Sequence, residues 1–328
     1  MPRPKGAAIT RKLASDNDAI RASEEWVRTR IYGLEDAELR WLRDQYVAAY
    51  KEIVALLPGV YDADGNPLPA RRTALLRAVQ VEIDALMNTL AQEFDPAFDA
   101  AFLQGYYGRA WALDMMTNPE VGVTLRPFIP TEAIRSVLLQ DFMGGTEWVS
   151  FERAEFLARM KRSLAQSLIQ GEGMTKAQVR LLREMGIKPG QTKDFTGSMW
   201  RSLLVVRTEI MRASNLGALA IYEQNKDILN GWEWVAARDE RVCRICGALD
   251  GQTFEFGDYQ QPPPSGSHIG CRCTVVPVLI NSELSDAITG GPREDYCTWA
   301  ARTGIVNDAN LCRQRGADAH ALNKTAAR

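Results

Sequence analysis

Apolar positions recur with a helical period through the first two-thirds of the chain. In the Ala-, Leu-, Glu- and Arg-rich stretch 20–57, Trp26, Ile31, Leu34, Leu39, Leu42 and Tyr46 stand three to five apart, as on an amphipathic helix. Pro58-Gly59 ends that run. YDADGNPLPA (61–70) reads as a loop, because Asp-Gly and two prolines cannot continue a helix. Leu75, Val79, Ile83, Leu86 and Leu90 draw one stripe over a second helix of about 70–93, and further helical runs are expected over 96–116, 131–142 and 150–170. In GMTKAQVRLLREMG, Thr175 followed three residues later by Gln178 predicts a capping box, and Gly186 a stop. A long helix over about 197–224 carries Leu203, Val206, Ile210, Ala213, Gly217 and Ala220 on one face.

After Asn230-Gly231 the texture changes. WEWVAA alternates large and small side chains, QTFEF alternates polar and aromatic ones, and TVVPVLI is rich in β-branched residues, all suited to short strands. Asp250-Gly251, between ICGAL and QTFEF, predicts a hairpin turn. The fold class is therefore α+β, a mainly helical N-terminal body followed by a small β-containing unit. Three regions are expected: a helical domain over 1–149, a second domain over 150–280 whose β unit spans about 231–280, and a tail over 281–328.

Composition adds partners and compartment. A 46% hydrophobic fraction is that of a globular chain with a core. The net charge of −2 advertises neither nucleic acid nor membrane, but the charge is uneven. Positions 31–150 carry 9 Lys/Arg against 17 Asp/Glu, whereas positions 151–216 carry 12 against 6. A basic segment beside an acidic one suits either an acidic protein face or a polyanion, and Arg159, Lys161, Arg162, Arg180 and Arg183 are the candidate contacts to non-specific double-stranded DNA. No apolar run follows the basic N-terminus and no stretch is long enough to span a bilayer, so neither a secretory signal nor a membrane partner is expected. The cysteines are then expected in a reducing cytosol, where clustered thiols point to metal before disulfides.

Four of the six cysteines and one of the two histidines fall between positions 243 and 273. Cys243-x-x-Cys246 has knuckle spacing, which aims two sulfurs at one ion. His268, Cys271 and Cys273 offer the remaining two of the four tetrahedral ligands that zinc prefers. Cys271 and Cys273 share a face if extended, and either one could complete the shell. So many soft donors suit a closed, structural Zn2+ that staples a β unit too small to fold on its own core. A nuclease of the His-Asn-His kind would need a second histidine at the site, and His320 lies far off in a polar tail. The rival from another class is a zinc-dependent enzyme, a nuclease or a transferase toxin. Cys297 and Cys312 lack knuckle spacing and are expected as buried thiols.

Taken in order, Arg207-Thr208-Glu209, Arg212-Ala213, Asn215, Trp234-Val235-Ala236, the run C-x-x-C-x-x-L-D-G-Q-x-F, prolines, and H-x-x-C-R-C-T-V-x-P-V resemble the phage Mu F-like minor head proteins, a head-morphogenesis family. The likeness covers roughly 150–280. Family members often read His-Pro-Asn-Cys where this chain reads His268-Ile269-Gly270-Cys271, a change that spares the ligands. The resemblance implies a structural protein rather than an enzyme. It implies assembly in the host cytoplasm and a place inside the capsid of the virion, bound to the portal protein through the N-terminal helical domain, with a part in DNA packaging or delivery. Arg207, Glu209 and Arg212 are read as an ion-pair network joining their helix to the zinc unit, Glu209 and Arg212 being an i,i+3 pair.

Overall fold

A computed structural model of the chain describes residues 18–117, 120–139, 144–187, 197–237, 242–280 and 294–305. The elements run α1 (Asp18–Leu56), α2 (Arg72–Met116), α3 (Thr131–Leu138), α4 (Gly144–Ile169), α5 (Met174–Met185), α6 (Ser198–Gln224), β1 (Leu229–Val235), α7 (Arg244–Leu249), β2 (Thr253–Phe254), β3 (Thr274–Leu279) and α8 (Tyr296–Thr303). Helices dominate and the sheet stands near the C-terminal end, as the α+β reading requires. Two compact units emerge, each discontinuous in sequence. A helical unit comprises Glu35–Ala97 and Asp141–Arg207. A sheet unit comprises the chain up to Leu34, Phe98–Gln140 and the chain from Thr208. Helices α1, α2 and α6 contribute residues to both, and the 149/150 boundary expected from sequence falls inside the helical unit.

In the helical unit Leu42 and Tyr46 of the predicted α1 stripe and Leu75, Val79, Ile83, Leu86 and Leu90 of the α2 stripe are buried, Ile53 joins them, and Leu39 is half-buried. Where two helices were expected, α2 runs unbroken through Pro96. An interior proline costs about 3 kcal/mol, and the neighbouring side chains of Phe94, Ala97 and Phe98 are all buried. Burial of a large apolar side chain contributes about 1.5–3 kcal/mol, enough between them to carry the helix past the break. The capping box at Thr175 is not formed. Gly173 is the N-cap and makes no side-chain bond, so Thr175 lies one residue inside the first turn. The turn after α4 is closed by Gly171 at φ +66°, which leaves the chain free to re-enter helix at Met174. Gly186 does stop α5, at φ +78°, its N–H reaching back to the carbonyls of Leu182 and Arg183.

In the sheet unit the strand order is β2-β1-β3, all antiparallel, with Trp232 opposite Phe254 and Trp234 opposite Val275. Trp232, Trp234, Val235, Val275, Val276 and Val278 are all buried, so the sheet is covered on both faces. The hairpin expected around Asp250-Gly251 is absent. ICGAL forms the helix α7, and the turn instead delivers the chain from α7 to β2, whose partner is β1. Helices α2 and α6 meet backbone to backbone: a Cβ on Gly105 would lie 2.0 Å from the Ser214 carbonyl, and one on Gly217 would lie 2.1 Å from that of Phe102. Helix α8 docks through Tyr296, which stands beside Trp26 and Trp111, and through Trp299, which packs on Tyr296 and whose indole donates to Asp114 at 2.8 Å. Cys297 corrects an expectation, because it is half-buried and disulfide-bonded rather than a buried thiol. It lies off the Tyr296, Trp299, Ala300 stripe that faces the core. Cys312 and His320 lie outside the described residues.

Candidate metal centre

The first arm of the site is the start of α7. Cys243 is its N-cap, and the Cys246 N–H donates to the Cys243 Sγ at 3.3 Å, which folds both sulfurs onto one turn. The arm is tied back to β1. The Asp250 carboxylate accepts from the Ala236 N–H at 2.9 Å, and the Gly251 N–H donates to the Trp234 carbonyl at 2.8 Å. Gly251 takes φ +71° to make that turn.

The second arm, 263–273, hangs from neutral side chains of α6. Asn215 Nδ2 donates to the carbonyls of Pro263 (2.8 Å) and Cys273 (3.0 Å). Thr208 Oγ1 accepts from the Gly270 N–H at 2.9 Å, with Gly270 at φ +75°. Just beyond the arm, the guanidinium of the buried Arg109 in α2 donates to the Thr274 hydroxyl at 2.7 Å. Thr208 and Asn215 were visible in the family pattern, but nothing in their spacing told which backbone groups they would hold. Arg109 left no sequence signal at all.

Between the arms lie the donors. Cys246 Sγ is 3.3 Å from His268 Nε2 and 3.6 Å from Cys271 Sγ. Two trios result, Cys243–Cys246–His268 and Cys246–Cys271–Cys273, each with its ligand atoms within 4.8 Å of one another, and Cys246 belongs to both. Cys246, Cys271 and Cys273 are each 2% exposed, Cys243 is half-buried and His268 faces solvent. His268 Nδ1 stands 2.9 Å from the Ile269 carbonyl. A proton held there leaves Nε2 as a lone pair directed at Cys246.

The thiols do not ionise alike. The Cys246 N–H holds Cys243 below the ordinary thiol range. Hydrogen bonding from Cys273 lowers Cys271 to about 5. Burial pushes Cys246 up to about 12, while the hydrogen bond to Cys271, then burial, raises Cys273. Such crowding of sulfur suits a shared cation. Bonds of about 2.3 Å to a tetrahedral ion put neighbouring sulfurs about 3.8 Å apart, close to the observed Cys246–Cys271 separation. The donor set therefore fits zinc.

The charged residues of α6 form ion pairs of their own. Arg207 pairs with Glu35, and Arg212 pairs with Glu209 at 2.7 Å and donates to the Leu138 carbonyl at 2.6 Å. Burial raises the Glu209 carboxyl and Arg212 opposes that shift. Thr208 and Asn215 tie α6 to the second cysteine arm. Of the candidate DNA contacts, Arg159 pairs with Glu152 and Glu155, Arg180 grips Glu172 at 2.7 Å, and Lys161 donates to Gln80 at 2.8 Å. Arg162 and Arg183 are exposed.

Residues 158–276, just over a third of the chain, match the model of a family described as Phage Mu protein F like protein. The matched span runs from mid-α4 into β3 and includes both arms of the site. A protein of Haemophilus influenzae described as uncharacterized is 25% identical over 145 residues, which make up 43% of this chain and 29% of that relative. No solved structure matches the chain. Among the described residues, no helix is long and apolar enough to cross a membrane.

Proposed function

We propose that this chain, a Phage Mu F-like protein across 158–276, is a minor head protein of a tailed phage or related particle. It sits inside the capsid on the portal protein and acts in head morphogenesis and in DNA packaging or delivery. The observation that carries this reading is the coincidence of the family match with the donor-bearing loops and the helix that suspends them. The role is structural rather than enzymatic. Cys243, Cys246, His268 and Cys271 would hold one Zn2+, with Cys273 packed behind Cys271, its N–H 3.4 Å from the Cys271 sulfur. The ion would supply a four-way cross-link between α7 and the 263–273 loop, and the chain's part is to present the sulfurs and keep water from three of them. Contact with packaged double-stranded DNA, non-specific and through phosphates, falls to exposed cations of the basic run, Arg162 among them.

The test is particle assembly. With the tagged chain co-produced with the head genes of its own locus, purified heads should contain it, and short cross-linkers should join it to the portal. Heads that form without the chain, while it stays in the soluble fraction free of portal cross-links, would refute the proposal.

A further inference from the structure

Helix α5 has two contrasting faces. Ala177, Leu181 and Met185 turn inward, whereas Lys176, Val179, Arg180 and Arg183, spaced i, i+3, i+4 and i+7, line an open cavity of about 310 Å3 together with Glu172 and Thr175. Val179, its apolar floor, is 54% exposed. Arg180 is held in place by Glu172, so the cavity carries a surplus of positive charge around an uncovered valine.

The opposite chemistry stands on the sheet unit, in the loop between β2 and the second arm of the metal centre. No lysine or arginine occurs between Ile245 and Cys271, while Asp250, Glu255 and Asp258 do. The loop is braced. The Glu255 N–H donates to the Asp258 carboxylate at 3.1 Å, the Asp258 N–H returns to the Glu255 carbonyl at 3.2 Å, and Asn215 holds Pro263. On this support Tyr259 is 98% exposed. An exposed aromatic on a braced backbone, beside two carboxylates, offers a large contact area, and tyrosine is a favoured anchor at interfaces.

We infer that the two surfaces are halves of one self-association interface: Tyr259 of one copy enters the α5 cavity of a second, with Glu255 and Asp258 meeting Lys176 and Arg183. The interface is head-to-tail. Each added copy therefore leaves one free loop and one free cavity, and the assembly grows into a ring or an open chain rather than stopping at a dimer. The contact is small, so it is weak in solution and strengthened where copies are concentrated.

Sedimentation of the full chain over about 1 to 100 μM at low ionic strength reads this directly. Average mass should climb above the 36.5 kDa of one chain as concentration rises. Tyr259→Ser and Arg183→Glu should each weaken association by about tenfold or more. Both residues are exposed, so circular dichroism should stay as in wild type, and Arg183→Gln replaces Arg183→Glu if it does not. The decisive arm mixes the two variants. One retains a working cavity and the other a working loop, so the mixture should form one-to-one dimers and nothing larger. A wild-type chain that stays monomeric throughout, a Tyr259→Ser chain that associates normally, or a mixture without dimers would each overturn the inference.

Discussion

From Val242 to Gly270 the chain has one six-residue helix and one two-residue strand, and Ile245, Tyr259 and Ile269 face solvent. Helices α4 and α5, together only somewhat longer, bury Trp148, Phe156, Met160, Leu164, Leu168, Leu181 and Met185. Order in the helical unit rests on apolar area removed from water. In the cysteine loops too little apolar surface is buried to offset the entropy of fixing the backbone, so order there depends on a few directed bonds. Area-held structure degrades gradually as methyl groups are removed. Bond-held structure is lost when one bond goes.

Removing the proposed metal should separate the two regions most widely. Purified chain should carry one zinc, and Cys246→Ser, or stripping with a chelator, should open 242–272. A structural zinc site contributes on the order of 10 kcal/mol, more than those loops can replace. Protease should then cut near Tyr259 and Pro262–Pro264, while the helical circular dichroism is nearly unchanged. Equal protease resistance with and without metal would show that the loops hold themselves.

A break of intermediate size is available in the helical unit. Glu152 is 2% exposed and accepts from Ser198 Oγ at 2.6 Å, Arg201 at 2.8 Å and Arg159 at 3.1 Å, while Tyr46 hydroxyl bonds to Ser198 and Ser202 extend the network. Glu152→Ala leaves two guanidiniums without their shared buried partner and should cost about 3 kcal/mol. Denaturant unfolding should show that loss with zinc content unchanged, because the network touches no cysteine loop.

The smallest effect depends on pH. Burial, with Glu93 nearby, pushes the Glu38 carboxyl up to about 7 from an ordinary 4.5. A carboxyl whose folded pKa is raised binds its proton more tightly when folded. Its destabilising contribution is therefore absent below about 4.5, grows as pH rises towards 7, and is constant above. Glu38→Gln should raise the thermal midpoint at pH 8 and leave it unaltered at pH 4. An equal shift at both would assign the effect to packing.

The stripes of α1, α2 and α6 were legible because a 3.6-residue period needs no partner to be recognised, and the Cys/His cluster because zinc ligands keep short, characteristic spacings. Other features depended on groups far away in sequence. Pro96 stops a helix unless neighbours such as Phe94 and Phe98 find a core, and that core is built from distant segments. Asp250-Gly251 signals a turn correctly, but which strand it serves follows from Trp234 pairing with Gln252 across α7. Whether Cys271 or Cys273 completes the shell could not be read from two thiols two positions apart. The 3.6 Å approach of Cys271 to Cys246 favours Cys271.

The contact between α2 and α6 at Gly105 and Gly217 limits how this chain can vary. At some positions glycine is a convenience: Gly33 and Gly59 have nothing within 4 Å of a built Cβ, and any small residue could drift into those places. At 105 and 217 the obstacle is a neighbouring carbonyl rather than a side chain, at about 2 Å in both directions. No compensating substitution can shrink a carbonyl. These two positions are therefore closed to stepwise exchange, and a descendant of this chain that changes either must re-space its helices or keep its glycine.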